Sequence, residues 1–192
     1  MWAGVGLYDA PVTFRAVWLG GLVVALLAGC SQDDPPASTL PPLSVAPSPS
    51  APSAEPVPTE AQAATPQGAA EFARFWFATL NDSAGDGDTQ LLERISSPDC
   101  LACNGFTQSI GRLYAAGGRI EGGVFEVRAA EAPAIEPKAA TARVTVVYDV
   151  TPSRQIAADG TVVRSVEALV GVDGDMRLTR QDGEWRVSEL TV

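Results

Sequence analysis

The 192-residue sequence contains no histidine, and Lys138 is its only lysine. Histidine is the commonest general base near neutral pH, the usual base of catalytic triads and the commonest zinc ligand. Its absence therefore excludes the hydrolytic and zinc-dependent mechanisms that use histidine, whereas carboxylates, tyrosine and Lys138 could still act. The remaining residues form no catalytic constellation, so we expect a protein that is not an enzyme and that holds neither a metal nor another cofactor.

Basic residues are also scarce. The chain has 13 Lys and Arg against 23 Asp and Glu, for a formal net charge of -10. A phosphate backbone is bound by clustered cations that replace its counterions, and an anionic lipid surface is bound by a basic patch. We therefore expect no nucleic-acid partner and no charge-driven docking on anionic lipid.

One long apolar run stands near the N-terminus. Residues 16–27 read AVWLGGLVVALL, follow a single arginine and precede two small residues. A cation, a short apolar core and small residues are typical of a secretory signal peptide. An uncleaved transmembrane helix is the alternative, but residues 16–29 are fewer than the roughly 18–20 that cross a bilayer. We interpret residues 1–29 as a signal peptide; a translation start near Val12 would leave a more compact leader.

The leader ends in Leu27-Ala28-Gly29-Cys30, which resembles the bacterial lipobox. The resemblance implies that the Cys30 thiol receives a diacylglyceryl group and that the chain is cut before Cys30. Two acyl chains, at about 0.8 kcal/mol per buried CH₂, hold a protein stably on a bilayer. We therefore expect a lipoprotein on the extracytoplasmic face of a bacterial cell membrane, with the bilayer as its partner through acylated Cys30.

The next segment is rich in proline, serine and alanine. Residues 31–66 hold 10 of the 15 prolines and no aromatic residue. Such a composition buries too little apolar surface to offset the entropy of ordering the chain. We assign residues 30–66 to the lipidated cysteine and a disordered tether, and residues 67–192 to an extracytoplasmic domain.

The first half of the domain is predicted to be helical. Ala69, Phe72 and Trp76 recur at helical spacing, which predicts a helix over residues 68–80 with a buried aromatic face. Two shorter helices are predicted over residues 89–95, after an Asp88 cap, and 105–116.

The second half is predicted to be sheet. Asp159-Gly160 and Asp182-Gly183 are strong hairpin signals. Helices followed by about four antiparallel strands predict an α+β domain. The apolar alternation places the strands over residues 119–130, with a bulge at Gly122-Gly123, and over residues 142–150, 161–180 and 184–192. Asp173-Gly174 is a candidate point at which the strand over residues 161–180 bends or divides.

The helix and strand order, closing in DGEWRV, resembles the nuclear transport factor 2-like cone, in which a curved antiparallel sheet wraps the N-terminal helices around a pocket. The lipobox, the Pro-rich tether, FARFWFATLN and SSPDCLAC resemble a family of uncharacterised actinobacterial lipoproteins. That family has no assigned activity, so the resemblance implies only a fold and a cellular location. In such a cone, Trp76, Phe77 and Tyr114 are candidate pocket-lining residues.

Cys100 and Cys103 form a C-x-x-C pair in a chain expected to be exported, where thiols oxidise. With Cys30 acylated, these two form an even pair, and we predict a structural disulfide near the start of the third helix. A redox-active pair is the alternative; it would show a solvent-facing Cys100. A zinc site would need two further ligands that the sequence does not supply.

Two further sets of polar residues suggest possible sites. Asp82, Asp86 and Asp88 could face a Ca²⁺ ion, but their spacing differs from the EF-hand pattern, and we interpret them as a solvated loop with a helix cap. Some enzymes of the cone fold use a pocket Asp and a Tyr hydrogen-bond donor, and no residue here matches that pattern at a specific position. Tyr148 and Asp149 offer the two residue types. Because they are adjacent on a strand, they must point to opposite faces and cannot serve one pocket.

Two functions fit this sequence. The first is a non-catalytic binding or interaction module, presented on a tether to an envelope protein or another extracytoplasmic partner. The alternative is a carrier, sensor or minor enzyme for a small apolar ligand held in a cone pocket.

Overall fold

The computed structural model describes residues 57–136 and 139–192. They form an α+β domain in which helices are followed by two antiparallel sheets. The predicted signal peptide, the acylated Cys30 and the tether up to residue 56 lie outside the described residues.

All helices precede the strands along the described chain. Within the described residues, no helix combines the length and the hydropathy needed to cross a membrane. The helical half contains a 3₁₀ helix, Glu60–Gln62, and the α-helices α1 (Pro66–Asp86), α2 (Gln90–Arg94) and α3 (Leu101–Ala115). The second half contains β1 (Arg119–Gly122), β2 (Phe125–Glu131), β3 (Thr141–Val150), β4 (Ser153–Ile156), β5 (Val162–Val166), β6 (Leu169–Gln181) and β7 (Glu184–Thr191).

Helix α1 runs further than the sequence predicts. It ends at Asp86 instead of Leu80, and Gly87 closes it in the left-handed conformation with φ 85°. Asn81 does not end the helix, because its side chain is hydrogen-bonded to the backbone of Phe125 in β2. The polar residue that follows the predicted end of the helix is therefore part of a tertiary contact.

Residues 57–66, which the sequence analysis assigns to the tether, pack on the domain. Trp185 Nε1 donates to the Ala63 carbonyl at 3.0 Å, and Arg180 donates to the Gln62 carbonyl at 3.0 Å. The Arg180 guanidinium also lies 4.9 Å from the centre of the Trp185 ring. The folded part thus begins earlier than predicted, because side chains from the last hairpin hold this segment.

The strands form two antiparallel sheets, of order β1-β4-β5 and β2-β3-β6-β7. The chain passes directly from one sheet to the other three times, from β1 to β2, from β3 to β4 and from β5 to β6. The pairing register continues through these passages: Gly122 pairs with Ser153, and Phe125 pairs with Val150. The two sheets therefore meet along one line, which we call the corner.

Glycines and backbone hydrogen bonds shape the corner. Gly123 N donates to the Pro152 carbonyl and Thr151 N to the Val124 carbonyl, each at 3.0 Å. Gly122 and Gly123 have φ of 71° and 75°, and a Cβ on Gly122 would overlap the Pro152 carbonyl. At the glycine pair where a bulge is predicted, the strand is therefore interrupted between β1 and β2, and two residues lie opposite two residues of the neighbouring segment of the chain.

The corner also explains why the structure has more strands than the four or so predicted. The predicted strand over residues 119–130 is divided into β1 and β2. The predicted strand over residues 161–180 is divided after Val166, into β5 and β6, and Asp173-Gly174 lies inside β6. Strand β4, which continues β3 beyond the corner, is not among the predicted strands.

Both predicted Asp-Gly hairpins are confirmed. Asp159-Gly160 lies in the turn between β4 and β5, and Asp182-Gly183 joins β6 to β7. Asp182 and Gly183 have φ of 54° and 87°. Positive φ at both central residues is what a two-residue type I′ turn requires.

The core lies between the helices and the four-stranded sheet. Trp76 is fully buried, and its Nε1 donates to Ser96 Oγ at 2.9 Å. The loop after α2 runs beside β7: Ser97 N donates to the Val187 carbonyl at 2.7 Å, and Val187 N donates to the Ile95 carbonyl at 3.0 Å. This loop therefore carries the hydroxyl that satisfies the buried indole.

Candidate functional site

A cavity of about 380 Å³ lies at the corner, between the two sheets and the helices. Most of its lining side chains are apolar, and they come from both sheets and from two helices. The main lining residues are Leu80, Ala84, Phe106, Ser109 and Ile110 on α1 and α3, Phe125, Tyr148, Val150, Leu169 and Val172 on the four-stranded sheet, and Ile120, Ser153, Gln155, Arg164 and Val166 on the three-stranded sheet.

At the corner, side chains from both sheets line the same cavity. Side chains on one face of a regular strand recur every second residue. Across the corner the lining residues are three apart, from Val150 to Ser153 and from Val166 to Leu169. One extra residue in each strand therefore keeps the cavity-facing side continuous from one sheet to the next.

Three aromatic side chains, Phe106, Phe125 and Tyr148, form one side of the cavity, which we call the aromatic wall. Phe125 lies 5.6 Å from Tyr148 and 6.1 Å from Phe106, measured between ring centres. Phe77 lies behind the wall, 5.6 Å from Phe125 and 5.4 Å from Tyr148. Aromatic pairs at these separations contribute about 0.5–1.5 kcal/mol beyond burial. The wall is thus held from behind by a buried ring.

Asn81 fixes the start of β2, and with it the aromatic wall, on helix α1. Its Nδ2 donates to the Phe125 carbonyl, and its Oδ1 accepts a hydrogen bond from Phe125 N, each at 2.9 Å. One side-chain amide thus satisfies both backbone groups of the first residue of β2. A specific hydrogen-bonded contact between helix and sheet thus lies beside the cavity, next to the lining residues Leu80 and Phe125.

The polar part of the lining lies mainly on the three-stranded sheet. Gln155 and Arg164 are direct partners in the β4–β5 ladder, and Ser153 also lies on β4. Arg164 is exposed, and it makes no ion pair with another described residue. The cavity therefore has an apolar side and a polar side that carries one positive charge.

Tyr148 and Asp149 point to opposite faces of β3, as the sequence predicts. Tyr148 is 2% exposed, and burial raises the pKa of its phenol. Asp149 lies outside the cavity, where Arg128 donates to its Oδ2 at 2.7 Å and Gly171 N donates to its Oδ1 at 2.8 Å. These two residues therefore form no shared acid–donor pair.

The three aromatic residues predicted to line a pocket lie outside the cavity lining. Trp76 is one helical turn before Leu80, which does line the cavity, and Phe77 lies behind the aromatic wall. The Tyr114 hydroxyl donates to the Ala84 carbonyl at 2.7 Å and so joins the ends of α3 and α1. On α1, the cavity lies beside Leu80 and Ala84, beyond Trp76 and Phe77 along the helix.

Cys100 and Cys103 form the predicted disulfide. Helix α3 begins at Leu101 instead of residue 105, so Cys100 is its N-cap, and Cys103 N donates to Cys100 Sγ at 3.3 Å. The redox alternative predicts a solvent-facing Cys100, whereas the two cysteines are 1% and 0% exposed. Burial favours a structural disulfide over a reactive one.

The aspartates near the end of α1 serve local backbone structure. Asp86 Oδ1 accepts a hydrogen bond from Asp88 N at 2.8 Å, and Asp88 Oδ1 accepts one from Gln90 N at 3.0 Å. Asp82 lies within α1. In the part of the chain that the structure describes, no group of three His, Cys, Asp or Glu side chains is placed to hold a metal ion.

Asp149 makes the stability of the domain sensitive to acid. The hydrogen bond from Gly171 N and the ion pair with Arg128 lower the pKa of this carboxyl. A carboxyl with a lowered folded-state pKa stabilises the fold above its unfolded value of about 3.9, and this contribution is lost as the pH falls below that value. We expect Asp149→Asn to lose less stability than the parent between pH 7 and pH 3 in thermal melts. Asp173→Asn on the neighbouring strand is the control, and an equal acid loss in Asp149→Asn and the parent would contradict the assignment.

The fold and the cavity define an α+β domain with a largely apolar pocket at the corner of two antiparallel sheets. Residues 45–191 match a family described as a family of unknown function, DUF6318, and the chain belongs to that family. No curated protein matches the chain.

Several solved structures resemble parts of the fold. The intermembrane space region of chloroplast protein ARC6 is 9% identical, with 65% of this chain and 93% of that chain covered and a TM-score of 0.49. Kfla4162 protein from Kribbella flavida is 13% identical, with 62% and 84% covered and a TM-score of 0.40. Aln2 from a Streptomyces species is 13% identical, with 62% and 85% covered and a TM-score of 0.33. None of these likenesses is close enough to assign a function.

Proposed function

We propose that this protein is a membrane-anchored extracytoplasmic lipoprotein whose domain binds a small, largely apolar molecule in the corner cavity. The observation that supports this proposal most directly is the cavity itself, with its volume of about 380 Å³ and its mainly apolar lining. Small-molecule sites are typically concave, mostly apolar and roughly 300–1,000 Å³ in volume, with a few polar groups that fix orientation.

The geometry favours a nuclear transport factor 2-like cone. The sheet surface turns through the corner with continuous register, and α1 and α3 contribute to the lining of the cavity on its inner side. This arrangement supports the fold family that the sequence resembles, in which the space between helices and curved sheet is the binding site.

The proposed location rests on the sequence of the leader and on the disulfide. Cys30 follows a lipobox-like tripeptide, and the Pro-rich segment after it suits a spacer. The paired Cys100 and Cys103 are compatible with an oxidising compartment, where disulfides persist. Acylation of Cys30 would then present the domain on the outer side of the membrane.

The residues that line the cavity favour binding without catalysis. Among the described residues that line the cavity, the titratable side chains are Tyr148 and Arg164. Burial raises the pKa of Tyr148, which makes the phenol a weaker acid, and Asp149 is turned away. General acid–base catalysis needs a base within hydrogen-bonding reach of the proton it takes, and neither lining residue supplies one at neutral pH.

Purification of the native protein from the membranes of its host tests both parts of the proposal. We expect intact-mass and N-terminal analysis to find a mature chain that begins at acylated Cys30. We expect solvent extraction followed by mass spectrometry to release a small apolar molecule in stoichiometric amount. A mature chain that begins upstream without fatty acid would refute the location, and a protein that carries no extractable molecule would refute the binding function.

A second candidate, an interaction module for an envelope protein, is supported by exposed apolar residues. Val163 on β5 is 59% exposed and Val170 on β6 is 81% exposed, and β5 is an edge strand of its sheet. Exposed apolar residues and unpaired strand edges are typical of protein contacts. The double variant Val163→Lys/Val170→Lys would then lose a co-purifying protein while it retains the extractable molecule.

A further inference from the structure

We propose that the molecule in the cavity is an apolar carboxylate of the fatty-acid type, with its anionic head at Arg164 and its apolar part against the aromatic wall. This inference rests on the proposed binding function and specifies the chemistry of the ligand.

Arg164 differs from most arginines of the two sheets. It forms no ion pair among the described residues, although the chain carries a formal net charge of -10 and acidic groups are plentiful. Arg180 and Arg186 also form none, but they do not line the cavity. A cation that lines a cavity and lacks a protein carboxylate is a natural partner for an anionic ligand group. The sheet arginines that do pair with a carboxylate are Arg119, Arg128, Arg143, Arg154 and Arg177.

The neighbours of Arg164 suit a carboxylate head. Gln155 is its direct cross-strand partner and also lines the cavity. The guanidinium offers donors in a fork that matches the two oxygens of a carboxylate, and the Gln155 amide offers a further N–H donor. Donors from two adjacent strands can therefore converge on one head group.

The opposite side of the cavity suits an apolar chain. Across the corner from Arg164, the lining is formed by Phe125, Val150 and Leu169 on the four-stranded sheet and by Phe106 on α3. Apart from the Tyr148 hydroxyl, the side chains on this side offer no hydrogen bond to a second charged group. One charged end and one apolar side thus select a monoanionic amphiphile over a neutral hydrocarbon or a polyanion.

Photolabelling of the full acylated chain in nanodiscs tests the inference. The probe is dodecanoate that carries a diazirine, and the labelled peptides are identified by mass spectrometry, with empty nanodiscs as the background. We expect the label on peptides that line the cavity. We expect unlabelled dodecanoate to compete about tenfold more effectively than dodecanol, as one charge-assisted hydrogen-bonded pair would give.

Arginine variants assign this preference to one side chain. We expect Arg164→Gln to abolish the difference between dodecanoate and dodecanol, and Arg164→Lys to retain most of it. Arg94→Gln is the matched control, because Arg94 is exposed on α2, is not among the lining residues and makes no ion pair within the described part of the chain. The inference would be overturned if dodecanoate and dodecanol competed equally in the parent, or if the preference survived Arg164→Gln. The proposal of an apolar binding pocket would be unaffected by either result. Absence of label from the cavity peptides would overturn the binding function as well.

Discussion

Trp76→Ala should lower the free energy of unfolding by about 3–5 kcal/mol, the usual cost of truncating a large buried aromatic side chain. Trp76 is 0% exposed, and its ring centre lies 5.3 Å from that of Phe77 and 6.2 Å from that of Phe106. Its Nε1 also donates to Ser96 Oγ at 2.9 Å, so truncation leaves a buried hydroxyl without that partner. Urea unfolding followed by circular dichroism measures the change.

The size of this effect decides whether the variant folds. Domains of this size are typically stable by about 5–15 kcal/mol, so the loss is a large share of the total. Trp76→Phe is the informative control, because it keeps most of the apolar volume and removes the hydrogen bond to Ser96. We expect it to cost about 1–3 kcal/mol. A loss below about 1 kcal/mol in Trp76→Ala would mean that the indole is not part of the core.

The sequence predicts best those elements whose signals are local. The helical spacing of Phe72 and Trp76 identifies α1, and both Asp-Gly pairs identify hairpins, because backbone conformation at these points depends on the residues themselves. The Cys100–Cys103 disulfide is likewise predictable from spacing and composition. Each of these features is contained within a window of a few residues.

The features that define the cavity depend on contacts between distant residues. Asn81 is a reasonable helix end when only its neighbours are considered, but it is hydrogen-bonded to Phe125, 44 residues away. That contact lies where α1 continues beyond Leu80, and the added turn brings Ala84 to the cavity. No local pattern contains this information, so Trp76 and Phe77 are predicted at the cavity, whereas Leu80 and Ala84 line it.

Two of the three passages through the corner are marked by glycine or proline in the sequence. Gly122-Gly123 and Pro152 lie opposite each other on neighbouring segments of the chain, because Gly123 N donates to the Pro152 carbonyl. Glycines with positive φ and a proline without an N–H both interrupt a strand. The third passage, between Val166 and Leu169, carries no glycine or proline. The place of this third passage is set by the pairing of β5 and β6 with the neighbouring strands. That pairing cannot be deduced from the spacing of residues in the sequence.

Leu169→Trp should reduce the amount of small molecule that co-purifies with the protein by at least about tenfold, because a larger side chain would occupy the apolar side of the cavity. Leu169 lines the cavity and is 46% exposed, so it stands at the opening and not in the packed core. A substitution there can fill the space at small cost to the fold. The measurement is the molar ratio of extracted molecule to protein, determined by mass spectrometry.

Val170→Trp is the matched control for this substitution. Val170 is the next residue of β6, is 81% exposed and is not among the lining residues, so the same side chain added there leaves the cavity unchanged. We expect Val170→Trp to carry the same molar ratio of extracted molecule to protein as the parent. We expect the two variants to have equal melting temperatures. If both variants lose the molecule, it is held by the outer surface of β5 and β6, and the exposed valines become the binding site. If neither loses it, the molecule is bound elsewhere, because a tryptophan at position 169 would occupy the corner cavity.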